Sequence, residues 1–158
     1  MLIDPTEVVD AGEVVQETEA GAQRLGMQLQ VIEVRGPNDF DTAFSLARQR
    51  NAQALFAVAA VAHRTRLAAL ALKDKLLSIS EFPLMAQAGF LMCYGADLGD
   101  LGRRSVAQMD KILKGERPGD MPIERPTKFQ LSINLKTAKA LGITVPRSIL
   151  LRADEVVE

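Results

Sequence analysis

The apolar positions of this chain change period several times, and each change marks a new element. Val8, Ala11, Val15, Thr18, Ala22 and Leu25 recur at spacings of three and four, which predicts an amphipathic helix ended by Gly26. Its start is signalled by Asp4-Pro5-Thr6-Glu7, with Asp4 as cap, Pro5 at the first helical position and Glu7 closing a capping box. Met27 to Val34 is rich in β-formers. Arg35-Gly36-Pro37 then turns the chain, and Asn38 caps a helix carrying Phe40, Ala43, Phe44 and Ala47 inward until Asn51. Ala54-Leu55-Phe56-Ala57-Val58 is apolar without alternation, the mark of a parallel strand covered on both faces.

The pattern continues with a helix over 62–75, a short strand from Leu77 to Ser80, a break at Phe82-Pro83, a helical turn from Leu84 to Ala88 and a strand from Phe90 to Cys93. Alternating strands and helices predict an α/β fold: a parallel sheet with helices on both faces and right-handed crossovers. From Asp97 the scale changes. Asp97 caps a longer helix with a stripe of Leu98, Leu101, Val106, Met109, Ile112 and Leu113, closed by Gly115. An extended linker with prolines at 118, 122 and 126 follows. It delivers the chain to a strand with Phe129, Leu131 and Ile133 on one side and Lys128, Gln130 and Ser132 on the other. Asn134 caps the last clear helix and Gly142 ends it in a left-handed conformation. At about two turns this helix cannot stand alone, so strand and helix must dock on a body built earlier. Only Met1-Leu2-Ile3 precedes Asp4, fewer residues than the opening strand of such a unit usually has. The expectation is a chain cut inside its first strand.

Composition narrows the function. The 158 residues, 47% hydrophobic, suffice for one ordinary domain. Nineteen basic against twenty acidic side chains leave a net charge of −1, which gives no general attraction to nucleic acid or anionic membrane. Aromatic residues are 4% and Trp is absent, so stacked bases would find no platform. The single cysteine, Cys93, forms no internal disulfide and falls in a buried strand, where a thiol is inert. MLIDPTEVVD lacks the basic start and apolar stretch of a secretory signal.

Enzyme chemistry is not indicated. His63, the one histidine, reads as a solvated residue beside Arg64 and Arg66. Asp97 and Asp100 are the cap and third-position acid of one helix. Gly95, Gly99 and Gly102 miss the dinucleotide spacing, and no metal or cofactor set is present. In an open α/β sheet a ligand sits beyond the carboxyl ends of the strands. Those ends are Asp4–Thr6, 59–61, Ser80–Phe82 and Tyr94–Gly95. The candidate ligand-binding residues are therefore Thr6, Ala60, Ser80, Phe82 and Tyr94: Thr6 and Ser80 to donate to a carboxylate, Phe82 and Tyr94 to meet an apolar or aromatic body. The structural alternatives are Phe82 as core and Thr6 as cap.

Tyr94-Gly95, the helix end Lys111-Ile112-Leu113-Lys114-Gly115, Pro126-Thr127-Lys128-Phe129 and Asn134-Leu135-Lys136-Thr137-Ala138-Lys139-Ala140-Leu141-Gly142 together resemble the C-terminal end of a bacterial family of ABC-transporter substrate-binding proteins, which includes tryptophan- and tyrosine-binding lipoproteins. The likeness extends more weakly upstream through GMQLQVIEVRGPNDFDTAF to Asp4-Pro5-Thr6. It implies one Rossmann-like lobe of a type I periplasmic binding protein over 1–95. A helix and proline-rich linker over 96–126 would belong to the other lobe, and a hinge strand with C-terminal helices over 127–158 would return to the first. It implies a small solute bound between lobes, an ABC permease as partner and a periplasmic location; a chain starting at Met1 would remain cytoplasmic. Where the family often carries an acidic, proline-containing turn after the central strand, this chain has Ala59-Ala60-Val61. The helix stripe would lack its usual partner, which predicts that it docks on another copy, as an isologous homodimer or one swapped through 98–114 and 127–133, or folds back onto its own lobe. Two other classes remain open: a remnant that only self-associates, and a response-regulator-like switch, which would need an acidic pocket at the strand ends.

Overall fold

The structure, a computed structural model, describes residues 1–58 and 60–158. The strands are β1 (Leu2–Ile3), β2 (Ile32–Glu33), β3 (Ala54–Val58), β4 (Leu77–Ser80), β5 (Met92–Ala96), β6 (Phe129–Asn134) and β7 (Glu155–Val157). The helices are α1 (Ala11–Arg24), α2 (Phe40–Gln49), α3 (Arg64–Lys73), α4 (Pro83–Gln87), α5 (Leu98–Leu113), α6 (Leu135–Leu141) and α7 (Arg147–Leu150). The strands form one sheet in the order β2-β1-β3-β4-β5-β6-β7. From β2 to β5 all neighbours are parallel, β6 runs antiparallel to β5, and β7 pairs parallel with β6.

Two cores lie on opposite faces of this sheet. The larger joins Leu2, Leu55, Ala57 and Cys93 to Phe40, Phe44, Leu67, Ala71, Met85 and Phe90, so α2, α3 and α4 share that side. The smaller packs Val8, Ala11, Val14 and Val15 onto Met1, Ile3 and Val58. Residues 55–58 therefore have apolar cover on both faces, much as the unbroken hydrophobic run at 54–58 predicts, while Ala54 at its start is exposed. Burial drives the Cys93 thiol up to about 12, beyond ordinary thiol chemistry.

Several local expectations give way to side-chain competition. Asp4 does not cap a helix: its Oδ1 accepts from the Thr6 amide (2.9 Å) and hydroxyl (2.6 Å). That local turn offers the backbone an alternative to helix, and α1 begins only at Ala11, behind a left-handed Asp10 with φ 53°. Asn38 likewise lies within a short 3₁₀ turn, while Asp39 receives the Arg35 amide. The strand over 27–34 contracts to two residues. Tyr94 and Gly95 lie inside β5 rather than beyond it, and the C-terminal stretch read as helical ends in a seventh strand.

The end of the sheet is fixed by Asn134. Its Oδ1 accepts from the Thr137 amide (2.9 Å), and its Nδ2 donates to Ala86 O (2.8 Å). Thr137 Oγ1 donates to Gly89 O (2.8 Å) and Gly142 closes α6 at φ 73°. One buried asparagine thus caps α6 and ties it to α4. Gly95 marks a second close approach: a Cβ there would overlap the Glu81 carbonyl.

α5 leaves this body. The Asp97 Oδ1 cap accepts from Asp100 N (3.0 Å), and no residue of the helix is buried. Arg104 binds Glu124 (2.6 Å) and Thr127 (2.7 Å), so helix and linker travel together as one arm. At its root Asp97 N donates to Lys128 O (3.0 Å) and Lys128 Nζ pairs with Asp97 (2.9 Å).

Three outcomes are expected. Asn134→Ala lowers the unfolding free energy by about 2–4 kcal/mol in urea titrations, since both the cap and the buried donor are lost. Gly95→Ala costs about 2 kcal/mol or more by the same measurement, whereas Gly21→Ala, in open helical space, is neutral or stabilising. The hydrogen bond from Lys128 holds the Asp97 carboxyl below its usual range, and the same contact raises Lys128. The Asp97 contribution is complete above the unfolded carboxyl value of about 4 and disappears as pH falls through the lower folded value. The Lys128 contribution is complete below its unfolded value of about 10.4 and disappears as pH rises through the folded one. Asp97→Asn keeps the cap but should flatten the acid limb of melting temperature against pH.

Candidate functional site

Because β1, β3, β4 and β5 run parallel as neighbours, their carboxyl ends share one rim. This is the edge where backbone amides and turn residues face a ligand in sheets of this kind. The rim holds the Asp4–Glu7 turn after β1, Ala60 and His63 after β3, and Glu81-Phe82 after β4.

Thr6 is exposed on this rim, yet its hydroxyl proton is engaged by Asp4. It therefore offers a ligand an acceptor rather than the donor read from the sequence. The hydrogen bonds from the Thr6 side chain and amide hold the Asp4 carboxyl below its ordinary range; burial opposes this slightly and Arg35 reinforces it. Asp4 is thus a charged acceptor over the neutral range.

Ala60 is half-buried and lines a small hollow with Leu2, Asp4, Glu7, Phe40 and His63. The hollow measures about 10 Å³, room for one water and not for a solute. Ala59, the first residue of the Ala59-Ala60-Val61 turn, lies outside the described residues. His63, read from the sequence as solvated, packs edge-on to Phe40 at 5.4 Å, with Arg66 above the same ring at 5.6 Å.

Ser80 is 1% exposed. Its Oγ donates to Ala57 O (2.9 Å) and stands 3.0 Å from Glu81 Oε2, so the hydroxyl is engaged within the protein rather than offered to a ligand. Phe82 is half-buried against the larger core at the start of α4. Tyr94 points elsewhere. It lies on the sheet face opposite Cys93, 56% exposed, and stacks on Phe129 of β6 with centroids 5.7 Å apart.

The structure thus gathers Thr6, Ala60 and the Ser80–Phe82 turn along one edge and sets Tyr94 beside the crossing to β6. Sequence reasoning placed Asp4 at that edge, as a cap and a lone acid, and passed over Glu81. A cap motif explained Asp4 fully, and nothing in the spacing of Glu81 signalled its place. Among the described residues, no three His, Cys, Asp or Glu side chains are grouped as a metal ion would require.

Comparison with known proteins agrees with this architecture. Residues 1–157 match the family model described as ABC transporter substrate binding protein. A conserved domain protein from Vibrio cholerae superposes with a TM-score of 0.88 at 20% identity, over 98% of this chain and 53% of that one. An ABC domain from Streptococcus pneumonia, solved in complex with L-Trp, gives 0.86 at 23% identity, over 99% and 55%. The ligand-free, open form of a substrate-binding protein with adhesive properties from Clostridium difficile gives 0.73 at 20% identity, over 99% and 53%. No curated protein matches the sequence. The chain spans about half the length of the solved structures it matches. With its fold, its rim and a match over nearly every residue in agreement, the chain belongs to the ABC transporter substrate binding protein family.

Proposed function

We propose that this chain is a receptor lobe that holds a small organic solute, an amino acid, at its strand-end rim and presents it to an ABC permease outside the cytoplasm. The observation that carries the reading is the gathering of Asp4–Thr6, Ala60 and Glu81-Phe82 on one edge, over a hollow too small to enclose a solute. A rim without a lid suits a cleft closed by a second lobe, since such sites bury most of the ligand's surface. Asp4 and Thr6 present acceptors suited to an ammonium group, and Phe82 supplies apolar surface. The solute chemistry follows the L-Trp complex of the Streptococcus protein and the acceptor-rich edge together. No helix among the described residues is long and apolar enough to cross a membrane. The family is one of binding proteins rather than enzymes, and the rim is assigned no catalytic group.

In this reading residues 1–95 form the receiving lobe, 96–126 reach toward a second lobe and 127–158 return. The Asp97–Lys128 pair is the hinge, because both crossings meet there. A ligand would favour closure only by the contacts it gains in the closed form.

One observation favours a second reading, in which the chain binds nothing and associates with itself. The stripe of α5 is uncovered, with Val106 64%, Met109 59% and Leu113 81% exposed. At roughly 1.5–3 kcal/mol for each large side chain buried, covering that face is a strong drive to pair with a second copy.

Thermal melting against a panel of free amino acids separates the two. A ligand at a hundred times its Kd should add about 2.7 kcal/mol of stability, and Ala60→Trp or Asp4→Asn should weaken that response at least about tenfold in Kd, or roughly 1.4 kcal/mol. An unchanged midpoint with every amino acid favours self-association.

A further inference from the structure

The rim takes its shape where β4 stops and β5 continues. The two strands pair through Ile79–Met92 and Ser80–Cys93, while β5 runs on to Ala96 against β6. Past Ser80 the chain leaves the sheet toward α4, and it does so over Gly95. This residue is buried and lies two positions from Cys93, on the face that carries α4. A Cβ built on Gly95 would overlap the Glu81 carbonyl oxygen and stand 2.8 Å from the carbonyl carbon. Both are backbone atoms, so no change of rotamer relieves the overlap; the turn itself must move. Gly95 is not among the glycines with positive φ, so the crowding above it, not its own conformation, calls for glycine.

Other contacts hold the same turn. Ser80 Oγ donates to Ala57 O (2.9 Å) on one side. On the other, Pro83 opens α4 and keeps Phe82 extended, at φ −106° and ψ 126°. The Met85 amide donates to Phe82 O (3.0 Å), and Met85 and Ala86 are buried beneath it. We infer that Gly95 is a positioning residue of the binding rim: it meets no solute itself, and its missing side chain sets the height at which Phe82 does. The inference rests on the amino-acid reading and names the residue that shapes its apolar side. The Asp4–Thr6 turn follows β1, two strands away from β4, and does not depend on it.

Gly89 supplies the contrast. It stands between α4 and β5, at the far end of the strand, with φ 117° and a built Cβ 3.2 Å from the Ala68 Cβ. Gly89→Ala therefore strains the same region without reaching the rim.

Calorimetric titration with L-phenylalanine, below the melting midpoint of every variant, tests the inference. Gly95→Ala should weaken binding about tenfold, the loss expected from part of one apolar contact. Gly89→Ala should lower the melting midpoint and leave Kd unchanged. In a Phe82→Ala background Gly95→Ala should weaken binding no further, because it acts through that ring. An unchanged Kd in Gly95→Ala, an equal loss in Gly89→Ala, or the same loss again on top of Phe82→Ala would overturn the inference while sparing the amino-acid reading. Binding of other amino acids but not of L-phenylalanine would do the same. No binding of any free amino acid removes both.

Discussion

The antiparallel ladder between β5 and β6 is the contact on which the rest of the molecule depends. It pairs Met92 with Ile133 through to Ala96 with Phe129, so a segment that left the sheet at Asp97 returns to the neighbouring position more than thirty residues later. Closing so long an excursion is entropically expensive only in a logarithmic sense, and a five-residue ladder with an apolar face can hold it. From this pairing follow the root of the arm, the Tyr94–Phe129 stack and the delivery of Asn134 to the interior.

Asn134 shows how a polar residue can be central to a packed domain. Its acceptor and donor are both engaged, so its burial carries no unpaired group. Replacing the loop before it would change the arm without disturbing the sheet; replacing Asn134 would loosen α6, β7 and α4 together.

Much of this was legible in the sequence. The unbroken run at 54–58, the caps at Asp97 and Asn134 and the left-handed Gly142 are local signals, and the structure keeps them because burial and local preference agree. The failures occur where two local rules compete. Asp4-Pro5-Thr6-Glu7 satisfies a helix-start pattern, yet the Asp4 carboxylate finds a nearer partner in Thr6 and the helix is delayed to Ala11. The β7 strand has no signal of its own: Glu155–Val157 becomes a strand because Ser132 and Leu131 receive it, through Glu155 and Asp154. The site was legible as a set of strand ends but not as chemistry. Which side chain faces the rim depends on where the strand ends, and three further residues of β5, to Ala96, put Tyr94 on the sheet face.

Cys93 sits fully buried in the strand that carries the ladder, its thiol held protonated by its surroundings. An alkylating reagent therefore meets it only when β5 parts from its neighbours. The molecule carries its own clock for that opening: the speed of covalent capture at this one sulfur reports how often the centre of the sheet breathes, with no residue to be engineered in.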